Sequence, residues 1–205
     1  MLKKKLAVRI SRQRAASRKR APMSPYKQPV TRQVLEKLVG GTTDLRDRAI
    51  ILFLADTGAR INEFVSLDRD MIKVGPGVLA GGFKFAATGT LPIGKSNGRR
   101  SLYISARAVE ALNLYLYSRK DAHPALFASR SGERMRTEQV RKLLHVWCDQ
   151  LGIERFPAHD FRRSLAESLS RGGSLYIIAL VLGYSLSKCA IRVILPMSPQ
   201  YEEHQ

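Results

Sequence analysis

With 205 residues the chain is long enough for one well-cored domain plus an arm, and 44% apolar and 25% charged residues are ordinary for a globular protein. A net charge of +18 is not ordinary and calls for a polyanionic partner, nucleic acid first and an anionic membrane surface second. No apolar run reaches the ~18 residues that span a bilayer, no apolar signal core follows Met1-Leu2-Lys3, and Cys148 and Cys189 lack neighbours at metal-ligand spacing. These features argue against a membrane-spanning helix, a disulfide framework and structural zinc, and the expectation is a cytoplasmic protein.

Residues 1–25 read as a basic arm or linker, in which Lys3, Lys4, Lys5 and six further cations through Arg20 face no acid. Such a stretch either orders on phosphates or stays a solvated tail. The body is expected over 26–196, with 197–205 as a tail. Thr31 can cap a helix over 31–39 that Gly40-Gly41 stops, and Thr43-Asp44 opens a second over 45–56, dense enough in apolar residues to be buried nearly all round. Thr57-Gly58 breaks it, and 60–67 reads as a further short helix. Between Met71 and Ser105 glycines separate β-prone pieces at 71–74, 82–86 and 101–105, a small antiparallel sheet with hairpin turns. Helices return at 106–118 and 137–151, with a short apolar piece at 125–128 between them. Val140, Leu143, Leu144, Trp147 and Leu151 mark one buried face of the second. Phe156-Pro157 leads into a helix opening at His159 and ended by Gly172-Gly173. Ser174 caps a strongly apolar helix over 175–182, and a last short one is expected over 187–194. The fold class is mainly α with one small antiparallel β-sheet.

Three stretches carry candidate chemistry. His159 and Arg162 stand three residues apart and share a helix face, so an imidazole and a two-oxygen fork can address one phosphate. Arg60 follows the tight Thr57-Gly58-Ala59 turn with Glu63 three residues on, either a fixed, paired fork for a phosphate or a plain ion pair across one turn. Lys95 lies beside Asn97-Gly98, a hairpin-turn signal, and is either a mobile cation able to reach a leaving group or a solvated lysine.

Taken together, Thr57-Gly58-x-Arg60-x-x-Glu63, a lysine on a hairpin, His159-x-x-Arg162 and Leu182-Gly183, in this order, resemble the catalytic domain of tyrosine recombinases, the phage-integrase family. The resemblance spans about 27–195. It leaves no room for the family's usual upstream core-binding domain, and in that respect the chain is similar to short, catalytic-domain-only recombinases. It implies a site-specific recombinase that breaks and rejoins double-stranded DNA through a 3′-phosphotyrosyl intermediate, as a homo-oligomer on DNA, without metal or cofactor. Such proteins are bacterial or encoded by phages and plasmids. Arg60 and Arg162 would hold the non-bridging oxygens, Lys95 would protonate the leaving 5′-oxygen, and His159 would assist proton transfer at the phenol. Tyr184 would donate to the phosphate where the family has His or Trp, and Arg163 stands where many relatives carry a second His.

The nucleophile departs from the pattern. The family's tyrosine falls some ten residues past the Leu-Gly glycine, which here is Val193, and the tyrosine downstream of it is Tyr201. Three readings follow: Tyr201 attacks, in its own or a neighbouring subunit; the chain is a degenerate or truncated recombinase that binds DNA without cleaving it; or another tyrosine, Tyr184 being nearest, is brought in.

Overall fold

A computed structural model describes residues 30–80, 83–93, 98–172 and 175–183. The 1–25 arm, Lys95, Ser174, Tyr184, Cys189, the helix expected over 187–194, Val193 and Tyr201 lie outside the described residues.

Helix α1 (Arg32–Gly41) is capped by Thr31, whose hydroxyl accepts from the Val34 N–H at 3.2 Å. It runs through Gly40-Gly41 rather than stopping before them. Gly41 is used for contact: a Cβ there would meet Leu151 Cδ2 at 2.3 Å. Helix α2 (Leu45–Thr57) starts from the Asp44 carboxylate, which accepts from Asp47 N–H, and ends on Gly58. Ile50, Ile51, Phe53 and Leu54 are fully buried, as the density of apolar residues in this stretch predicts. Helix α3 is shorter than expected, Ile61–Val65, with Arg60 outside it at the N-cap.

Strands β1 (Ile72–Ala80), β2 (Phe83–Ile93) and β3 (Gly98–Ile104) form an antiparallel sheet in the order β1-β2-β3. All three extend beyond the short pieces expected. Helices α4 (Ala106–Ser118), α5 (Thr137–Gln150), α6 (His159–Gly172) and α7 (Leu175–Leu182) follow the sheet in the chain.

The main core gathers α2, α4, α5 and the inner face of β3 around Phe53, Phe64, Phe127 and Tyr115. Phe64 and Phe127 stack at 4.6 Å between centroids, and Tyr115 stacks on Phe127 at 5.6 Å. A smaller cluster joins the second half of α6 to α7 through Ala166, Leu169, Ile178 and Leu182. Phe161 belongs to the first core and Ala166 to the second, so the opening turns of α6 lie along the seam between them. Cys148 is buried and takes part in no disulfide among the described residues. Among the described residues no helix is long and apolar enough to cross a membrane.

The segment 125–128 is held by lone bridges, Asp68 to Ala125 and Ala128 to Arg134, and by a buried bond from Ala128 N–H to Tyr115 Oη at 2.9 Å. Tyr115→Phe keeps the ring stack but leaves that N–H unpaired, and should cost about 1–3 kcal/mol. The urea midpoint should fall with an unchanged slope.

Candidate functional site

The site is built on the turn that ends α2. Gly58 adopts φ +53°, and its N–H closes the helix on Leu54 O at 3.0 Å. Thr57 locks the turn from its side chain, donating to Phe53 O at 2.7 Å and accepting from Ala59 N–H at 3.2 Å. A Cβ on Gly58 would lie 3.1 Å from Leu165, 3.3 Å from Arg162 Cα and 3.3 Å from Leu182, so α6 and α7 can close on this turn because it carries hydrogen. Two residues later Arg60 gives its N–H to Glu63 Oε2 at 3.0 Å and its guanidinium to Glu63 Oε1 at 2.5 Å. The pairing expected at this spacing is present. Its burial is uneven, because the Arg60 side chain is 40% exposed and that of Glu63 only 7%.

Helix α6 delivers the other two groups. Phe161 packs edge-on against Phe156 at 5.3 Å, which fixes the roll of the first turn. Arg162, 1% exposed, then donates from Nη1 to Gly58 O at 2.8 Å and from Nη2 to Leu182 O. A single guanidinium therefore ties the ends of α2 and α7 to α6. His159, one turn earlier, sits on the exposed side. Loss of hydration and then the positive charges of Arg162, Arg163 and Arg60 push its imidazole below the ordinary value of 6.5, against a weaker opposite pull from Asp160. The ring is thus neutral and able to accept a proton at pH 7.

The sequence reading missed Arg100. It is 4% exposed and donates to Glu63 Oε2 at 3.0 Å and to Val181 O at 2.8 Å. Gly183 (φ +62°) turns directly over it, since a Cβ there would lie 2.6 Å from Arg100 Cδ. A signal was available: Arg100, Leu102 and Ile104 alternate in phase along β3, and a cation in step with two buried residues is an inward-facing cation. Burial alone would raise the Glu63 pKa. The Arg60 N–H bond and the charge and bonds of the two arginines overcome it and hold the carboxyl below its usual range.

The structure thus brings Arg60, His159 and Arg162 to one seam and adds Arg100. Lys95 belongs to the segment between β2 and β3, which pair Ile93 with Gly98. It and Tyr184 and Tyr201 lie outside the described residues. Among the described residues no three His, Cys, Asp or Glu gather as metal ligands would.

Comparison with known proteins identifies the family and the fold. The model of the phage integrase family matches residues 28–192. The chain is 31% identical over 152 residues to a tyrosine recombinase XerC of Herpetosiphon aurantiacus, covering 71% of this chain and 46% of that protein. It is 30% identical over 188 residues to XerC of Ralstonia pickettii, covering 81% and 56%. The chain spans about half the length of these relatives. Among solved structures it superposes on the XerA recombinase with a TM-score of 0.70 at 23% identity, covering 87% of this chain and 65% of that one. It also superposes on the XerH recombinase bound to its difH substrate with a TM-score of 0.67 at 21% identity, covering 86% and 51%. At such identities the superpositions establish the fold.

The His159 environment is open to titration. By NMR its ring should protonate below 6.5, because the folded surroundings disfavour the imidazolium. The linked stability is fully present above the ordinary imidazole value and is lost as pH falls through it toward the lowered one. His159→Gln should flatten that part of the stability profile.

Proposed function

Starting from the chain's membership of the phage integrase family, we propose that it is the catalytic portion of a site-specific DNA recombinase, which breaks and rejoins DNA through a protein–phosphate bond. The observation that carries this reading is the convergence of a half-exposed Arg60, an exposed His159 whose imidazole is held below its ordinary pKa, and a buried Arg162 on one seam. A phosphodiester laid on that seam meets Arg60 as a two-pronged donor already aimed by Glu63. Arg162 behind it is a fixed positive charge in a poorly hydrated setting, where salt screens it little. Charge that builds on the non-bridging oxygens during attack is stabilised by groups that need no reorganisation.

The step itself is a displacement at phosphorus. A tyrosine oxygen, its proton passed toward His159, bonds to phosphorus while the bond to the 5′-oxygen breaks, and Lys95 supplies the proton that the departing oxygen takes up. A 5′-hydroxyl from another strand reverses the step, returning the proton to the lysine and the phenol to its tyrosine. Tyr184 is assigned as a further donor to the phosphate and Tyr201 as the nucleophile. The partner is double-stranded DNA, held by several copies of the chain, with the 1–25 arm adding phosphate contacts. A second reading, binding without cleavage, rests on Val193 at the spacing where relatives carry their tyrosine.

DNA nicked near the cleavage point separates the two. The wild-type chain should accumulate a covalent protein–DNA adduct that Tyr201→Phe abolishes and Tyr184→Phe retains. Tight binding with no adduct on any recombination-site DNA favours the non-cleaving reading. Arg60→Ala should remove the adduct yet keep most of the affinity, since Arg60 is one cation on a strongly basic chain; equal loss of both contradicts its assigned role.

Affinity itself should fall by orders of magnitude between about 50 and 200 mM salt, as several phosphate contacts release counterions. A flat response would count against DNA as the partner.

A further inference from the structure

We infer that Arg100 is a positioning residue of the phosphate clamp, acting on Arg60 through the carboxylate they share. This rests on the reading of Arg60 as a phosphate-holding group. The two oxygens of Glu63 are divided: Oε1 takes the Arg60 guanidinium at 2.5 Å, and Oε2 takes Arg100 Nη2 at 3.0 Å together with the Arg60 N–H at 3.0 Å. The Arg60 side chain is 40% exposed and stands at the N-cap, just outside a helix of only five residues, so little packing from its own element fixes its head. Arg100 is 2% exposed in its side chain and rooted in β3, which is paired along its length with β2. The rigid partner therefore orients the carboxylate, and the carboxylate orients the mobile partner.

Arg100 also reaches the far side of the site. Its Nη1 bonds Val181 O at 2.8 Å, one residue before the carbonyl that Arg162 holds, and its side chain fills the space under Gly183. Two consecutive carbonyls at the end of α7 are thus held by two arginines from two different elements. The Nε of Arg100 is buried without a hydrogen-bond partner among the described residues, so the two Nη bonds define its orientation. The charge balance fits a relay. Glu63 neutralises one arginine of the pair, and the Arg60–Glu63–Arg100 trio keeps a net positive charge for the phosphate. The sheet that leads to Lys95 is thereby wired to the clamp it would serve.

The test needs a readout that does not depend on cleavage. Side-chain NMR of Arg60 in the full chain should show slow rotation of its guanidinium in the wild type. In Arg100→Met that rotation should speed up, and the Glu63 carboxyl should titrate at higher pH than in the wild type. Glu63→Gln, nearly isosteric and so kept in case Arg100→Met fails to fold, should free Arg60 to the same extent. The double variant should be no worse than either single one. Unchanged Arg60 rotation in a folded Arg100→Met, or additive effects in the double variant, overturns the inference. If Arg100→Met does not fold, unchanged rotation in Glu63→Gln overturns it equally. Adduct formation on nicked DNA is followed in parallel. If the wild type forms none, cleavage by this chain fails as a reading while the NMR arm still decides the role of Arg100. If the wild type cleaves, Arg100→Met should lower the cleavage rate at least tenfold with DNA affinity within about threefold, because the relay acts on one clamp residue and not on the bulk of the phosphate contacts.

Discussion

The buried guanidinium of Arg162 is the contact on which the rest of the site depends. Taking a charge out of water costs several kcal/mol unless its donors are satisfied. Here the donors go to Gly58 O, at the end of α2, and Leu182 O, at the end of α7. Helix C-termini carry partial negative charge, so the cation is placed where the backbone field favours it. Carbonyls are dipoles and leave its charge intact. The same contact that knits three helices therefore keeps the seam positive.

The glycines make that contact possible. With φ at +53° and neighbours from α6 and α7 at 3.1–3.3 Å from any added Cβ, Gly58 lets the two helices close over the turn. Gly183 does the same over Arg100, more tightly, at 2.6 Å. The Thr-Gly and Leu-Gly pairs in the sequence are thus the places where chain meets chain around buried arginines. Their value lies in what they admit, and the side chains on either side inherit their placement from it.

Local signals carried much of this, and tertiary ones the remainder. Ser105 accepts from Ala108 N–H and α4 ends at Ser118, so its limits could be read from the chain alone. The strands could not. Gly75, Pro76 and Gly77 look like breakers, yet β1 passes through them by shifting register between Val74 and Val78, and Pro92 stands near the hairpin end of β2 opposite Arg99. Gly41 looked like a stop because its packing partner, Leu151, is over a hundred residues away. At the site, the i, i+3 spacings of Arg60 with Glu63 and of His159 with Arg162 were visible, since helical periodicity is local. Arg100 was hidden because its partners, Glu63 and Val181, are distant in sequence and it stood beside a more conspicuous lysine. Its alternation with Leu102 and Ile104 was the legible trace.

Two kinds of positive charge divide the work in this molecule. Most of the 35 lysines and arginines serve a diffuse field that attracts a polyanion from any direction and weakens with salt. Arg100 and Arg162 do the opposite: nearly sealed from solvent, they neither recruit nor screen easily, and their donors are committed to fixed partners. Arg60 stands between the two classes, held from behind by Glu63 yet exposed in front. A residue in that position can be reached by a phosphate from solvent while keeping the orientation that the interior imposes. Under the proposed function, such an arrangement would turn a general attraction for polyanions into a defined hold on the oxygens of one phosphate. It also explains why the acid beneath Arg60 must stay ionised while buried: a protonated Glu63 would lose its hold on both arginines, and the exposed fork would lose its aim.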